Sequence, residues 1–237
     1  FTAAAFLAEH HLPGDAWALL DAVARDAWLC PEPDSYLLYC LAYYGTLSGG
    51  VKEATLAKEL RRAASAPLSK NFPHGAQALR ILEWAVEKQP KTAIPLYLLG
   101  LAYAGSHRVD EAVAKWELAV TAKPDLGQAW RLLGLYHWKT KSDPAGAESC
   151  FRKAWKAMPG EQVVLRDLAR VLTELGRRPE ALVLVEALPA GTRTRYDIAL
   201  WQAQAYLNEK RYDDCIAFLQ GGTYSNWEAD TTPHDLF

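Results

Sequence analysis

Five small side chains recur down this 237-residue chain at a nearly constant interval. They are Ala78, Ala112, Ala147, Ala181 and Cys215, and successive members are equally spaced except that Ala147 comes one position late. A fixed interval of that size marks one supersecondary unit repeated along the chain. Each unit is too small to bury its own apolar face and must stack on its neighbours. Around each small residue, apolar positions fall at helical spacing. Leu96, Leu99, Gly100 and Tyr103 precede Ala112, and Trp116, Ala119 and Pro124 follow it. The next copy runs Trp130, Leu133, Gly134 and His137, then Ala147, Phe151, Ala154 and Pro159. A third has Leu165, Leu168, Ala169 and Leu172, then Ala181, Val185 and Leu188. A fourth has Ala199, Ala203 and Tyr206, then Cys215 and Leu219. Upstream, Ala78, Leu82, Ala85 and Pro90 match only the second half of a unit. Each unit therefore reads as a hairpin of two helices. The single long interval predicts one extra residue, expected in the turn KTKSDPAG at 139–146, where insertion is tolerated.

The residue choices follow from packing. Gly100 and Gly134 have no side chain and let the partner helix approach closely. Ala112, Ala147 and Ala181 keep the facing side thin, while Tyr103, Trp116 and Phe151 fill the space between units. Pro90, Pro124 and Pro159 follow second helices, which proline cannot continue because it lacks the N–H. Asp110, Asp125 and Asp143 stand where caps and first-turn acids belong. The segment 1–72 lacks the clean interval. Helices are expected near 2–11, 15–29, 35–48 and 51–65, with a loop at 67–73. Helix 75–88 is a second helix by its motif, so its first helix is either 51–65 or none.

This order, W-x2-L-G-x2-Y, then A-x3-F, then Pro, resembles the tetratricopeptide repeat superfamily over residues 75–220, with Leu96 and Trp130 in the Trp position. The resemblance implies an all-α fold: a right-handed superhelix of antiparallel helix hairpins. It divides the chain into irregular pairs at 1–72, regular units at 73–220 and an extension at 221–237. The regular part comprises a second helix at 75–90 and units at 93–124, 127–159, 162–189 and 195–220. The strings LYCLAYY, NFPHGAQALRILEWAVEKQP, PLYLLGLAYAGSHRVDEAVAKWELAV and AWRLLGLYHWKTKSDPAGAESCFRKAW are similar to the C-terminal repeat region of certain large bacterial proteins. Those carry an N-terminal β-rich, carbohydrate-related domain. The tail GGTYSNWEAD resembles the Trp-Glu-Gly segment after their repeats, with Ala-Asp after Trp227-Glu228 in place of glycines. On that resemblance the chain is a non-catalytic C-terminal region, and the parent's other domain carries any activity. The opening FTAAAFLAEHH, with neither an initiator Met nor a signal-peptide pattern, fits a piece of a longer protein.

Composition narrows the chemistry. A formal net charge of −2 supplies no basic field for nucleic acid or an anionic membrane, and no run of about 18 apolar residues predicts a span. Cys30, Cys40, Cys150 and Cys215 have no CxxC spacing and read as buried free thiols, in keeping with a cytoplasmic location. His10-His11 diverge by about 100° on a helix and make a poor metal pair. No GxGxxG, P-loop, GxSxG or HExxH pattern occurs. No cofactor, metal or catalytic residue is expected. Asp213-Asp214 reads as a first-turn pair favoured by the helix dipole.

Family members bind partners with the inner face of their first helices. Carried residue by residue onto this sequence, that face comprises Tyr97 and Leu101, then Arg131, Leu135 and Trp138, then Arg166 and Arg170. Asp197, Leu200 and Gln204 follow. Of these, Tyr97, Leu101, Arg131, Leu135, Trp138, Arg166, Arg170 and Gln204 are the candidate partner-binding residues. Aromatics beside arginines suit a protein or peptide partner, acidic where arginine grips carboxylates in two-point fashion, or an adjacent domain of the parent chain. The Lys-and-Asn clamp of chaperone-binding members is missing, since its positions hold Tyr97/Leu101, Arg131/Leu135 and Arg166/Arg170. The expected function is a non-catalytic interaction scaffold. The alternatives are an accessory region packed on a catalytic domain, or an all-helical enzyme domain.

Overall fold

A computed structural model of the chain describes residues 2–26, 30–68, 73–188 and 196–221. Every regular element among them is a helix. In order these are α1 (Thr2–Glu9), α2 (Pro13–Arg25), α3 (Ser35–Leu47), α4 (Glu53–Ser65), α5 (Gly75–Lys88), α6 (Ala93–Gly105) and α7 (Val109–Ala122). Then come α8 (Gly127–Leu135), a π-helical turn (Tyr136–Thr140), α9 (Pro144–Ala157), α10 (Gln162–Glu174) and α11 (Arg178–Glu186). The last two are α12 (Tyr196–Asn208) and α13 (Tyr212–Gly221). The helices form two compact units, Phe1–Ala129 and Trp130–Phe237. The fold is all-α, with helices packed as repeats. The expected loop at 67–73 and tail at 221–237 lie largely outside the described residues.

In the first unit, α3 is apolar nearly all round and packs against α2, α4 and α5. Asp34 caps it, accepting from the Leu37 N–H at 2.8 Å. The helix at 53–65 buries Leu56, Leu60 and Ala63 against α3. The partner of α5 is α3: Tyr39 donates its hydroxyl to Gln89 Oε1 at 3.1 Å, and Gln77 Nε2 donates to the Tyr44 hydroxyl at 3.0 Å. Tyr43 meets Trp84 edge-on at 5.4 Å between ring centres. Helix α4 thus lies outside the alternation, packed on α3 and touching α6.

The glycines behave as their spacing predicts. A Cβ on Gly100 would lie 2.3 Å from Trp116 Nε1, and one on Gly134 2.6 Å from Phe151 Cε1. The Trp116 indole crosses α6 at that point and donates to the Tyr97 carbonyl at 3.3 Å.

Five hairpins close in one way. A residue with positive φ (His11, His107, Ser142, Gly176 or Lys210) sits just ahead of the second helix. The next N–H returns to a carbonyl of the first helix: Leu12 to Leu7, Arg108 to Tyr103, Asp143 to His137, Arg177 to Leu172 and Arg211 to Tyr206, at 2.7–2.9 Å. This is the Schellman closure, which satisfies carbonyls that a helix end leaves orphaned. The Asp143-to-His137 bond spans one residue more than the other four. The extra residue of the long interval therefore lies between His137 and Asp143. The helix absorbs it largely as the π-helical turn, with Lys141 N–H on the Tyr136 carbonyl at 3.1 Å. The expectation of a loop insertion is corrected to that extent. A widened helical turn keeps its backbone hydrogen bonds, which a lengthened loop would have to find elsewhere.

Candidate partner-binding face

The candidate residues divide between the units and behave differently. Tyr97 and Leu101 are only 7% and 5% exposed. Helix α6 is apolar on every side and buries every residue from Ala93 to Tyr103, so no face remains for water or a partner. For these two the sequence expectation is corrected to core packing.

In the second unit, α8 and its π-helical turn carry Arg131, Leu135 and Trp138. Arg131 Nε donates to Asp167 Oδ2 at 2.8 Å, and both side chains are almost wholly buried. Arg166 Nε lies 3.6 Å from the other oxygen, Oδ1, of the same carboxylate. Asp167 is therefore a buried anion between two guanidiniums, one from each of two successive first helices. Trp138 donates its indole N–H to Glu174 Oε2 at 2.6 Å and meets Phe151 edge-on at 6.3 Å. The Lys139 ammonium sits 3.5 Å above the same indole ring. Leu135 packs partly buried against the core formed by Phe151, Leu165 and Leu168. Arg131 and Trp138 thus bond to α10, and their polar groups serve the array before any partner.

Arg170, Leu200 and Gln204 are exposed, and Arg166 is half-buried. Leu200 stands one repeat after Arg166, and Gln204 one repeat after Arg170, so these four occupy equivalent positions on α10 and α12. The side chain of Asp197 lies outside what the structure describes. Beside Arg166, the cleft lined by Leu165, Ala169, Val185, Ile198 and Trp201 holds about 10 Å³, room for about one water. The surface is a shelf with one half-sunk and one exposed arginine.

Sequence reading passed over Asp167. Its signal is an acid among Leu165, Leu168 and Leu172, on the buried side of an amphipathic helix. A second omission is a four-residue link that occurs twice. Tyr103 donates its hydroxyl to Glu83 at 3.1 Å, and Arg108 lies 4.2 Å from the Tyr103 ring centre and pairs with Glu111. Tyr206 donates to Glu186 at 2.7 Å, and Arg211 lies 4.8 Å from its ring centre and pairs with Asp214 at 2.6 Å. Each link ties a second helix to the hairpin that follows it.

Elsewhere, a cleft of about 360 Å³ lies over α3 between α2 and α4. Its acids Asp21 and Glu59 face Arg25 and Arg62 of their own helices at 2.9 and 3.9 Å, as on a solvated helix surface. His137 Nδ1 lies 3.0 Å from Asp143 Oδ2, while Asp143 Oδ1 accepts from the Gly146 N–H at 2.9 Å and caps α9. That backbone bond and the imidazole hold the Asp143 carboxyl below its ordinary range. Cys40, Cys150 and Cys215 are buried free thiols; Cys30, expected to be buried, is half-buried and outside a helix. Among the described residues, no group of three or more His, Cys, Asp or Glu is placed to hold a metal ion. No helix among them is long and apolar enough to cross a membrane.

The chain is 32% identical over 133 residues to mouse (Mus musculus) protein O-mannosyl-transferase TMTC1, a stretch covering 54% of this chain and 14% of that protein. Among solved structures it is similar to a crystal structure of MamA, at 14% identity and TM-score 0.49, over 72% of this chain and 92% of that one. It is also similar to MamA from Desulfovibrio magneticus RS-1, at 16% identity and TM-score 0.43, over 78% and 88%. Residues 141–197 match the tetratricopeptide repeat family.

Proposed function

We propose that this chain is a non-catalytic docking module and that the first-helix face of its second unit receives an acidic peptide. One observation carries the reading. Arg170 is exposed beside a half-buried Arg166, and Gln204 and Leu200 hold the equivalent positions one repeat on. Arg131, partly buried, and Asp167, buried, are paired and fix the base on which Arg166 stands. A preorganised guanidinium loses less freedom on gripping a carboxylate than a free one does. The chemistry is recognition without a reaction, and a cytoplasmic setting suits four free thiols.

The test is fluorescence anisotropy with an acidic peptide library and the chain carrying Arg170→Glu with Gln204→Glu, both exposed, while Arg166 stays in place beside Asp167. Two acids on the shelf are expected to weaken binding by at least tenfold, with circular dichroism unchanged. Undiminished affinity removes this face from the function.

A second reading is favoured by the mouse relative, in which the similar stretch is a small part of a longer protein named as a transferase. Here the chain is an accessory repeat region lying against a catalytic domain of its parent. In that case Arg170 and Gln204 are protected from chemical labelling in the parent and free in this chain alone.

A further inference from the structure

Helix α10 carries two acids close to its shelf arginines, and both are held from the preceding repeat. Arg131 Nε donates to Asp167 Oδ2 at 2.8 Å, and Trp138 Nε1 donates to Glu174 Oε2 at 2.6 Å. Each donor stands 36 residues before its acceptor, so the two bonds are one step taken twice along the seam. The first pair is largely buried, and an anion there needs a partner to offset its lost hydration. Glu174 is exposed, so burial does not account for the second bond.

What the second bond changes is the surroundings of Arg170. Arg170 and Glu174 stand one turn apart on α10, the spacing at which a guanidinium and a carboxylate on a helix meet. The chain forms such pairs elsewhere, Asp21 with Arg25 at 2.9 Å and Glu148 with Arg152 at 2.7 Å. Here Glu174 bonds the indole instead, and the Arg170 guanidinium has no ion pair or hydrogen bond among the described residues. The indole is built to keep its aim. Trp138 belongs to the π-helical turn, and its ring stands edge-on at 6.3 Å to Phe151, which is fully buried. The Lys139 ammonium covers the ring at 3.5 Å.

We propose that Trp138 is a positioning residue of the acidic-peptide shelf: its indole N–H holds Glu174 off Arg170 and leaves that guanidinium open to a partner's carboxylate. The inference rests on the docking reading above and gives Trp138 a different part in it. The family register places Trp138 among the residues that touch the partner; here it acts through Glu174. Without the N–H, Glu174 opposes the partner in two ways. It pairs with Arg170, and its charge repels the incoming acid.

The test titrates the full 237-residue chain into the tightest-binding acidic peptide of the library, labelled with fluorescein. Trp138→Phe keeps a ring beside Phe151 and removes the N–H. It is expected to weaken binding by about two- to fivefold, the reach of one exposed ion pair, with circular dichroism unchanged. Adding Glu174→Gln to Trp138→Phe should return the affinity to that of the chain with Glu174→Gln alone, because the competing charge is gone. A purely structural role for Trp138, or direct contact between its ring and the peptide, would leave the loss in place. Undiminished affinity in Trp138→Phe, or a loss that Glu174→Gln does not restore, overturns the proposal. Arg170→Glu with Gln204→Glu tests the shelf separately. If that chain binds as before, the docking reading falls and this inference falls with it. If it binds weakly while Trp138→Phe binds as before, only the role of Trp138 falls.

Discussion

At the scale of single residues, the hairpins are set by atoms that are missing. Gly100→Ala puts a methyl carbon 2.3 Å from Trp116 Nε1, and Gly134→Ala puts one 2.6 Å from Phe151 Cε1. Both rings are pinned in buried cores, so each change is expected to cost about 1–3 kcal/mol in urea unfolding. Gly14→Ala is the control: its Cβ would meet Ser48 at 3.8 Å, an ordinary contact. A helical Gly→Ala change there should be neutral or stabilising by up to about 1 kcal/mol. The need for glycine at 100 and 134 was legible because both stand at a similar distance before a large aromatic. The Asp167 pair was not, because its partners are Arg131, a repeat away, and its own neighbour Arg166. Sequence spacing says which residues are equivalent, and it does not say which of them bond across the stack. Tyr97 and Leu101 failed for the converse reason: the family register places them on an inner face, and α6 is too apolar to leave that face in water.

The carboxylates add a pH dependence. Backbone and imidazole bonds lower Asp143 from its ordinary 3.8, and arginine bonds lower Glu111 and Glu180 from 4.5. Each binds protons less readily folded than unfolded, so its stabilisation is complete above the unfolded value and lost as pH falls through the folded one. Stability should therefore begin to decline near pH 4.5 and continue falling below 3.8. Asp143→Asn, which keeps a side-chain oxygen for the cap, should flatten the lower part of that decline when thermal midpoints are compared from about pH 5 to about pH 2.

At the scale of elements, the connection between α8 and α9 separates what a turn tolerates from what a helix tolerates. Deleting Thr140 removes the surplus residue of the π-helical turn and restores the common repeat interval. It is expected to change unfolding free energy by no more than about 1 kcal/mol, the scale of a single helix-end hydrogen bond. Deleting Val113 inside α7 instead turns every later side chain of that helix by roughly 100°, driving Trp116 out of the core. That chain should not fold cooperatively when followed by circular dichroism during heating. The sequence showed that one residue was surplus. It could not show that a helix takes it up, because a loop and a π-helical turn lengthen the interval equally.

For the whole molecule, the four cysteines report on opening. Burial raises the thiols of Cys30 and Cys150 and pushes Cys40 up to about 12, so little reactive thiolate exists while the packing holds. With an aromatic disulfide reagent at about pH 8, Cys30 should react first, being half-buried. Cys215, in the last described helix, should follow, and Cys40 and Cys150 should wait for cooperative unfolding. Simultaneous reaction of all four would contradict this order. The periodic part of the fold was readable because a small residue returns at the same place in each unit, from Ala78 to Cys215. The segment 1–72 was not, because α4 packs outside the alternation and no interval records it.

The longer closure between His137 and Asp143 also bears on how the chain avoids assembling itself wrongly. Near-identical hairpins invite a helix to pair with the wrong neighbour during folding, a common failure of repeat arrays. Here Phe151 stands one position further along from Gly134 than Trp116 does from Gly100. The two second helices themselves are in phase, since Phe151 follows Ala147 as Trp116 follows Ala112. The surplus residue lies in the connection, so it is the length of that connection, suited to the π-helical turn of its own first helix, that marks α9 as the partner of α8.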